Sequence, residues 1–557
     1  MAGGTDRGSA VNQGNYWLRR NASVSRRRFL AGTGLVGGGI AAALTVGCGS
    51  GEDDSSSSQN TTGTSSAASP ATTQVAKRGG TLTMARAGNL AFADPQRSSG
   101  GNDPVFTRLY AETLLRYDGD TIKAYIAESL EQPDTSTVTL KLRKDIKFAD
   151  GTPVNAEAVK FAVERGKDAK LNAPVRPAMS LIKTVETPDE FTAVLKLERP
   201  NALFLSSFAP SSYLVSPTAL TKMGQDEFTK KPVSAGPYKV EKITQDGESV
   251  FVKDPEWPIR AANGDQLPYI DRIINRVIPQ PEALVAALLA GDVQLVNVVD
   301  LASVSQLKSS DSAGVFEVPA ASWQTVEFVT NRAPSDNVSL RKAINYAINR
   351  EEINKQLAFG LGKPATECLT LDSWLLDSSI QRYEYDAKKA TEALGQAGYP
   401  DGVDLKIATY APAQAEAIQQ QLAKLKIRLT IDNLELAVYQ DKFRTKGEYP
   451  LATAGGPTES GELYQYFLTR MGSKGKYNPG QPTNPEWDAL ITKVETAFEQ
   501  NERKALYQQM LKKSYEESYR AWTITIPVYY GVSKKLRGVV PLRENRTNPD
   551  LRAAWLA

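Results

Sequence analysis

The sequence predicts an α/β protein built from more than one packed unit, and three observations support this. At 557 residues the chain is too long for a single hydrophobic core. From Gly80 to the end, segments with the two-residue period of strands recur together with segments of helical period. Residues 405–431 have the order strand, helix, strand, which is a crossover suited to two parallel strands.

The first half of the folded region shows alternating strands and one well-marked helix. Strands are predicted over residues 81–85, 138–142 and 191–197, because apolar and polar residues alternate there. Asp150-Gly151 has the composition of a turn. Asn155 then stands where a helix N-cap is needed, which predicts a helix directly after it.

The second half adds helices and a closing strand. Apolar residues at helical spacing predict a helix over residues 340–348, and Asp386 is placed to cap another. Asn484, followed by proline, opens a helix that is expected to continue as one long run towards Tyr519. Residues 522–532 are rich in β-branched and aromatic side chains, which predicts a strand.

The composition excludes several classes of function. A formal net charge of +3 creates no field that would attract nucleic acid. The chain has no histidine, which removes imidazole general bases, serine–histidine triads and the commonest transition-metal ligand. We therefore expect no catalytic residues, no metal site and no cofactor, and the protein is not expected to be an enzyme.

The amino terminus has the pattern of an export signal. Arg26 and Arg27 precede a weakly apolar stretch, as in twin-arginine signals, and the sequence TVGC ending at Cys48 resembles a lipoprotein processing site. Residues 1–47 are therefore predicted to be a signal peptide. Residues 48–78 are predicted to be a lipidated cysteine and a flexible Ser/Thr-rich linker. With Cys48 lipidated, Cys368 is expected to be a small buried apolar residue.

The chain resembles the family 5 extracellular solute-binding proteins, the dipeptide, oligopeptide and nickel binders of ABC importers. The strongest match is the run LKLRKDIKFADGTPVNAEAV at residues 140–159, where Ala149 and Ala158 depart from residues frequent in the family. Other landmarks follow in the family's order, namely AGPYKV at 235–240, YIDRI at 269–273, LAGDV at 289–293, LRKAINYAI at 340–348, AGYPDG at 397–402 and IPVYY at 526–530.

The resemblance implies a two-lobed periplasmic-binding-protein-like fold of the large, three-subdomain type, with a hinge of two crossing segments. Lobe I would comprise residues 79–323 plus 525–557, with an inserted subdomain at about 115–197. Lobe II would comprise residues 324–524. Closure of two lobes around a solute would be stabilised by the solute, since only the closed form lets both lobes contact it.

The implied function is capture of a solute outside the cytoplasmic membrane and its delivery to the permease of an ABC importer. A peptide is the expected ligand, and a sugar or other small solute is the alternative on the same scaffold. A lipid-anchored hydrolase that uses two carboxylates is a remote alternative from another class. The protein is expected to be a monomer, lipid-anchored to the outer face of the cytoplasmic membrane on its periplasmic side.

Candidate ligand-binding residues follow from the resemblance and from aromatic character. In the peptide-binding branch an aspartate pairs with the ligand's α-ammonium, and Glu459 occupies the corresponding place in the sequence AGGPTES. Gly456 replaces a tryptophan of that motif. Further candidates are aromatic side chains that would suit stacking on the face of a sugar, namely Trp323, Tyr464, Tyr466, Tyr529 and Tyr530.

Overall fold

The fold is built around an eleven-stranded mixed sheet. The computed structural model describes residues 75–88, 93–97, 103–118, 121–244, 247–369, 373–380, 382–458, 461–473, 475–541 and 549–557. From edge to edge the sheet runs Ile427–Asn433, Val403–Thr409, Leu451–Pro457, Ala313–Phe328, Arg520–Ser533, Leu295–Val299, Thr81–Arg86, Arg272–Val277, Ser249–Lys253 and Tyr238–Lys242, with Lys363–Pro364 paired to Arg520–Ser533. Residues 77–557 belong to one unit.

Two long antiparallel strands connect the two halves of this sheet. The first crossing strand, Ala313–Phe328, and the second crossing strand, Arg520–Ser533, pair along almost their whole length. Register shifts interrupt the pairing between Val318 and Ser322, and again between Trp323 and Thr325. Such bulges bend a strand and increase its twist. The predicted two-lobed fold with two crossing segments is confirmed, and Trp323 lies opposite Thr525 in this pair.

The first half of the chain supplies the strands on one side of the crossing pair. Thr81–Arg86 lies parallel to both Arg272–Val277 and Leu295–Val299. Their apolar faces form a core with the helix Asp103–Tyr110. The predicted first strand is thus confirmed. The helices of this half are Asp103–Tyr110, Ala156–Lys167, Arg176–Met179, Phe204–Phe208, Pro217–Met223, Gln225–Lys230, Pro281–Ala290 and Val304–Lys308, with 3-10 turns at Ala169–Leu171, Ala209–Ser211 and Leu301–Ser303.

A separate four-stranded antiparallel sheet lies within the residues predicted to form the inserted subdomain. Its order is Ala127–Asp134, Thr137–Leu142, Thr192–Leu197 and Ile182–Asp189. The helix Ala156–Lys167 packs on it, and the Asn155 side chain accepts a 3.0 Å hydrogen bond from the Ala158 amide, as its capping position predicts. The apolar core of this sheet extends beyond residue 197 to Trp257. Two-stranded ribbons are formed by Leu115–Asp118 with Thr121–Ala124, Leu536–Arg537 with Trp555–Leu556, and Val540–Pro541 with Pro549–Asp550.

The second half confirms the predicted parallel crossover. Val403–Thr409 and Ile427–Asn433 pair in parallel from Val403 opposite Ile427 to Thr409 opposite Asn433. The helix Pro412–Ala423 connects them. The other helices here are Val338–Ala347, Arg350–Ala358, Ala387–Gln396, Leu436–Tyr439, Tyr464–Arg470, Pro485–Thr496 and Gln500–Glu516, with a π-helical turn at Gln440–Thr445.

One expectation for this half was wrong. The single long helix expected from residue 484 towards Tyr519 is two helices, because Ala497 takes an extended conformation between them. The break lets Trp487 of the first helix and Tyr507 of the second enter the same core. No glycine or proline marks the break, so the local sequence did not reveal it. None of the helices in the described part of the chain has the length and apolar character needed to cross a membrane.

Candidate ligand-binding site

An aromatic cluster forms where the crossing strands meet the helix Tyr464–Arg470. Trp323 of the first crossing strand packs edge to face against Trp522 of the second, with ring centroids 5.2 Å apart. Tyr466 of the helix also contacts Trp323, with ring centroids 6.5 Å apart. Trp323 and Tyr466 are buried, yet neither the indole N–H of Trp323 nor the Tyr466 hydroxyl has a hydrogen-bond partner among the residues that the structure describes. Buried donors of this kind usually have a partner.

Arg470 lies one helical turn after Tyr466 and stacks against the cluster. Its guanidinium carbon is 5.0 Å from the Trp323 ring, 5.5 Å from Tyr466 and 4.9 Å from Tyr477. These are cation–π distances. The guanidinium makes no hydrogen bond to any residue in the described part of the chain, and Arg470 is only half-buried. Three rings therefore contact a guanidinium whose five N–H donors have no acceptor among the described residues.

A buried ionic group lies beside the aromatic cluster. The Glu327 carboxylate, on the same face of its strand as Trp323, pairs with Arg444 and also accepts a 3.0 Å hydrogen bond from Arg520. Burial by itself would raise the pKa of Glu327, but the charges of Arg444, Arg520 and Arg470 outweigh burial and hold that pKa below its usual value. The Glu327 carboxylate is thus the shared counter-ion of the buried Arg444 and Arg520.

Gly456 lies where a partly unpaired strand edge meets this aromatic cluster. The strand Leu451–Pro457 pairs with the first crossing strand from Leu451 to Pro457, and Gly456 lies opposite Trp323. Along its other edge the strand pairs with a second strand at Leu451 and Ala452, and the Thr453 carbonyl accepts a 2.9 Å hydrogen bond from the Tyr439 hydroxyl. Within the described part of the chain, residues 454–457 have no strand on that side. A Cβ atom on Gly456 would stand 2.6 Å from the Trp323 ring and 3.1 Å from the Arg470 guanidinium. The Trp323 indole therefore covers the glycine that stands where the peptide-binding motif has tryptophan.

The structure does not bring the predicted site residues together. Trp323 and Tyr466 belong to the cluster just described. Tyr464 lies two positions earlier on the helix and donates a hydrogen bond to the Glu495 carboxylate. Tyr529 and Tyr530 are buried in apolar cores formed by the first half of the chain. Their roles in binding stay predictions. The other named residues, namely Glu459, Cys48, Arg26 and Arg27, lie outside the described residues.

A second contact joins the two halves of the chain next to Tyr464. Glu495, on the helix Pro485–Thr496, accepts a 2.6 Å hydrogen bond from the Arg199 guanidinium. The Glu495 carbonyl also accepts a 2.8 Å hydrogen bond from the Ala202 amide. Residues 199–202 follow the four-stranded sheet of the first half, so this contact ties that region to the second half.

Comparison with known proteins identifies the family. The model of the bacterial extracellular solute-binding proteins, family 5, matches residues 121–478. The chain belongs to this family. Family 5 proteins are substrate-binding components of transport systems and act outside the cytoplasm. The match includes the crossing strand with Trp323 and the helix with Arg470.

Family 5 relatives bind several kinds of solute. The chain is 25% identical to the glutathione-binding protein GsiB of Pectobacterium atrosepticum, over 82% of this chain and 90% of that protein. It is 27% identical to heme-binding protein A of Haemophilus influenzae, over 70% of this chain and 76% of that protein. The structure of DppA from Helicobacter pylori with the peptide STSA is similar, with a TM-score of 0.69, 25% identity, and 86% of this chain and 98% of that chain covered.

Sequence analysis missed the charged half of the site. The spacing of Tyr466 and Arg470 by one helical turn is visible in the sequence and places both on one helix face. Glu327, however, meets Arg444 and Arg520, which are 117 and 193 positions away. No local sequence pattern predicts a pairing between residues so far apart in the chain.

Proposed function

We propose that this protein captures peptides between its two lobes and delivers them to the permease of an ABC importer. The observation that carries the peptide assignment is the unpaired edge at residues 454–457, the end of the strand Leu451–Pro457 that lies beside the aromatic cluster. An extended peptide can add to this short edge through its own backbone N–H and C=O groups, which are the same in every peptide, and Pro457 contributes only its carbonyl because proline has no N–H. Gly455 and Gly456 have no side chains to obstruct that approach.

The alternative ligand, a sugar, has less support. Stacking on a sugar needs an accessible aromatic face, and Trp323, Tyr529 and Tyr530 are each at most 2% exposed. Tyr464 is partly exposed, but its hydroxyl is committed to Glu495. We also propose that the protein binds its solute without turning it over.

Recovery of the bound solute tests this assignment directly. The full chain is purified without denaturation, and the solutes that it carries are released and identified by mass spectrometry. We expect unmodified peptides, and solution scattering should show a smaller radius of gyration when they are added back. Recovery of sugars, or of a chemically altered product after incubation, would contradict the proposal.

We propose that lobe I spans residues 79–323 plus 525–557 and that lobe II spans residues 324–524. The opposed positions of Trp323 and Thr525 support limits at the crossing strands. Hinge closure needs only a few residues to absorb the rotation. The register shifts beside Trp323 make this segment the expected place for it.

We further propose that the protein is a monomer held at the outer face of the cytoplasmic membrane by lipid on Cys48. Arg26 and Arg27 would direct export through the twin-arginine pathway. Cys48→Ala should release the protein from membranes, and replacement of both arginines by lysine should stop export. Fractionation of cells that express each variant measures both effects, and unchanged membrane retention or export would count against this part of the proposal.

Glu459 is proposed to pair with the α-ammonium of the bound peptide. A carboxylate suits this task because an ammonium that loses its hydration in a closed cleft needs a charged acceptor. Glu459→Ala should weaken the binding of free-amino peptides by about 2 to 5 kcal/mol. N-acetylated peptides serve as the matched control and should show no comparable loss. Equal calorimetric affinities of wild type and variant for a free-amino peptide would sink this assignment.

A further inference from the structure

We propose that Arg470 binds a carboxylate group of the captured solute, so that this protein selects solutes with a negative charge. The inference deepens the proposed function and rests on it in one respect: if the solute is a peptide, the carboxylate belongs to its C-terminus or to an acidic side chain. Arg470 was not among the candidate residues found in the sequence.

The first support is the state of the Arg470 guanidinium. Trp323, Tyr466 and Tyr477 hold it by stacking, and stacking leaves the in-plane N–H donors of a guanidinium available. The protein provides no acceptor for them among the residues that the structure describes. A carboxylate matches the planar fork of a guanidinium and forms two parallel hydrogen bonds with it. The side chain is therefore oriented in advance for a ligand.

The second support is the balance of charge. Among the described residues, Glu327 is the carboxylate within salt-bridge distance of Arg444 and Arg520, and Arg470 lies near all three. With Arg470 the group has three positive charges and one negative charge. Like charges this close repel one another where water cannot screen them. A bound anion would offset that repulsion, whereas a bound cation would increase it.

The third support comes from two further donors on the same rings. The indole N–H of Trp323 and the hydroxyl of Tyr466 are both buried and both lack a partner among the described residues, and each ring contacts Arg470. A ligand acceptor would reach these two atoms only if the rings move, and a donor satisfied in that way would add to binding. Donors outnumber acceptors in this cluster, which favours a ligand group that only accepts hydrogen bonds. An ionised carboxylate is such a group.

The fourth support is the position of Arg470 relative to the open strand edge. The Arg470 Nη2 atom lies 3.1 Å from where a Cβ of Gly456 would be. The guanidinium therefore lies over the face of the strand at Gly456, and a peptide paired to the neighbouring edge would project some of its side chains onto that same face. The same residue could reach the peptide's C-terminus or an acidic side chain, depending on register.

The test compares peptides that differ only in this charge. An equimolar library of tripeptides is prepared as free C-terminal acids and as C-terminal amides. The full chain is incubated with both forms, and the peptides retained after gel filtration are quantified by mass spectrometry. Wild type should retain the acids about 10 to 150 times better than the amides, the range for hydrogen bonds to a charged group.

Three variants make the result specific to Arg470. Arg470→Gln should retain acids and amides equally, and Arg470→Lys should fall between, since it keeps the charge and loses the planar fork. Arg428→Gln is the control, because Arg428 pairs with Asp404 on the surface. It should keep the wild-type preference. Thermal unfolding of each variant confirms that the fold is kept.

Each outcome separates the two proposals. If Arg470→Gln keeps the wild-type preference, Arg470 does not select the ligand, and peptide capture still stands. If wild type retains only those amides that contain Asp or Glu, and Arg470→Gln loses them, the carboxylate is that of a side chain.

If wild type retains no peptide, peptide capture fails, and a mixture of small mono-, di- and tricarboxylic acids is tested in the same way. Loss of those acids in Arg470→Gln keeps the Arg470 site, and equal or absent retention overturns it.

Discussion

Replacement of Glu327 by glutamine should destabilise the protein through the arginines that it leaves behind. The Glu327 side chain is about as large as that of glutamine, so the change removes charge with little change of shape. Arg444 and Arg520 would then remain buried with no carboxylate between them, since Glu327 is the partner of both. The side chains of these arginines are only 6% and 2% exposed, so water cannot replace the lost partner.

The expected loss of stability is about 3 to 5 kcal/mol, the range found when one partner of a buried ion pair is removed. The upper part of the range applies here because two arginines lose their counter-ion together. A glutamine oxygen can still accept a hydrogen bond from one of them, which keeps the loss within this range.

Urea unfolding followed by tryptophan fluorescence measures the effect. Trp323, Trp487 and Trp522 belong to one apolar core, so their emission reports on this region. The control is Glu241→Gln, because Glu241 forms an exposed pair with Arg272 and its loss should leave the midpoint unchanged. A Glu327→Gln midpoint equal to that of wild type would refute the account of this ionic group.

The pH dependence provides an independent check on the same residue. The pKa of Glu327 lies below its usual value in the folded protein. As pH falls, this carboxylate is therefore protonated at a higher pH in the unfolded chain than in the folded protein. The stability from Glu327 is therefore complete above the unfolded-state pKa of about 4.3 and is lost as pH falls through the folded-state pKa. The difference between wild type and Glu327→Gln should shrink in that acidic window.

Two further predictions concern the site and the contact between the halves. Gly456→Ala places a methyl group 2.6 Å from the Trp323 ring, so it should shift tryptophan emission and weaken solute binding. Gly395→Ala, at an exposed position of the helix Ala387–Gln396 where a Cβ would have nothing within 4 Å, is its control and should stabilise the protein by about 0.5 to 1 kcal/mol. Arg199→Ala removes the ion pair with Glu495 and should shift the solute-free protein towards a larger radius of gyration in solution scattering. An unchanged radius would show that this contact does not hold the halves together.

The arginine group and the open edge together describe one manner of binding. In the proposed mode, the edge at residues 454–457 would pair with a peptide backbone whatever its side chains. The proposed Arg470 site would add a requirement for a carboxylate at one point along that backbone. A solute-binding protein with both features would accept many peptides and reject those that lack a carboxylate at this position.

The sequence by itself determined the family and most of the secondary structure. Local patterns were sufficient where the cause is local: Asn155 caps its helix, and alternating residues form the strand Thr137–Leu142. The parallel pair of Val403–Thr409 and Ile427–Asn433 followed from its crossover helix. The landmarks identified family 5 because they occur in the family's order along the chain. They are turns and helix faces that this fold requires at those positions.

Only the tertiary structure decided which side chains form the site. Trp323 and Tyr530 are both aromatic residues on crossing strands, but one packs against Arg470 and the other enters a core of the first half. Composition cannot separate them, because burial depends on what packs above each face of the sheet. Arg470 became a candidate only when its partners were known, since an arginine's role depends on whether a carboxylate is within reach. Glu327 stands next to Arg444 and Arg520 because the two crossing strands and the segment around Arg444 meet there, and that meeting is a property of the folded chain.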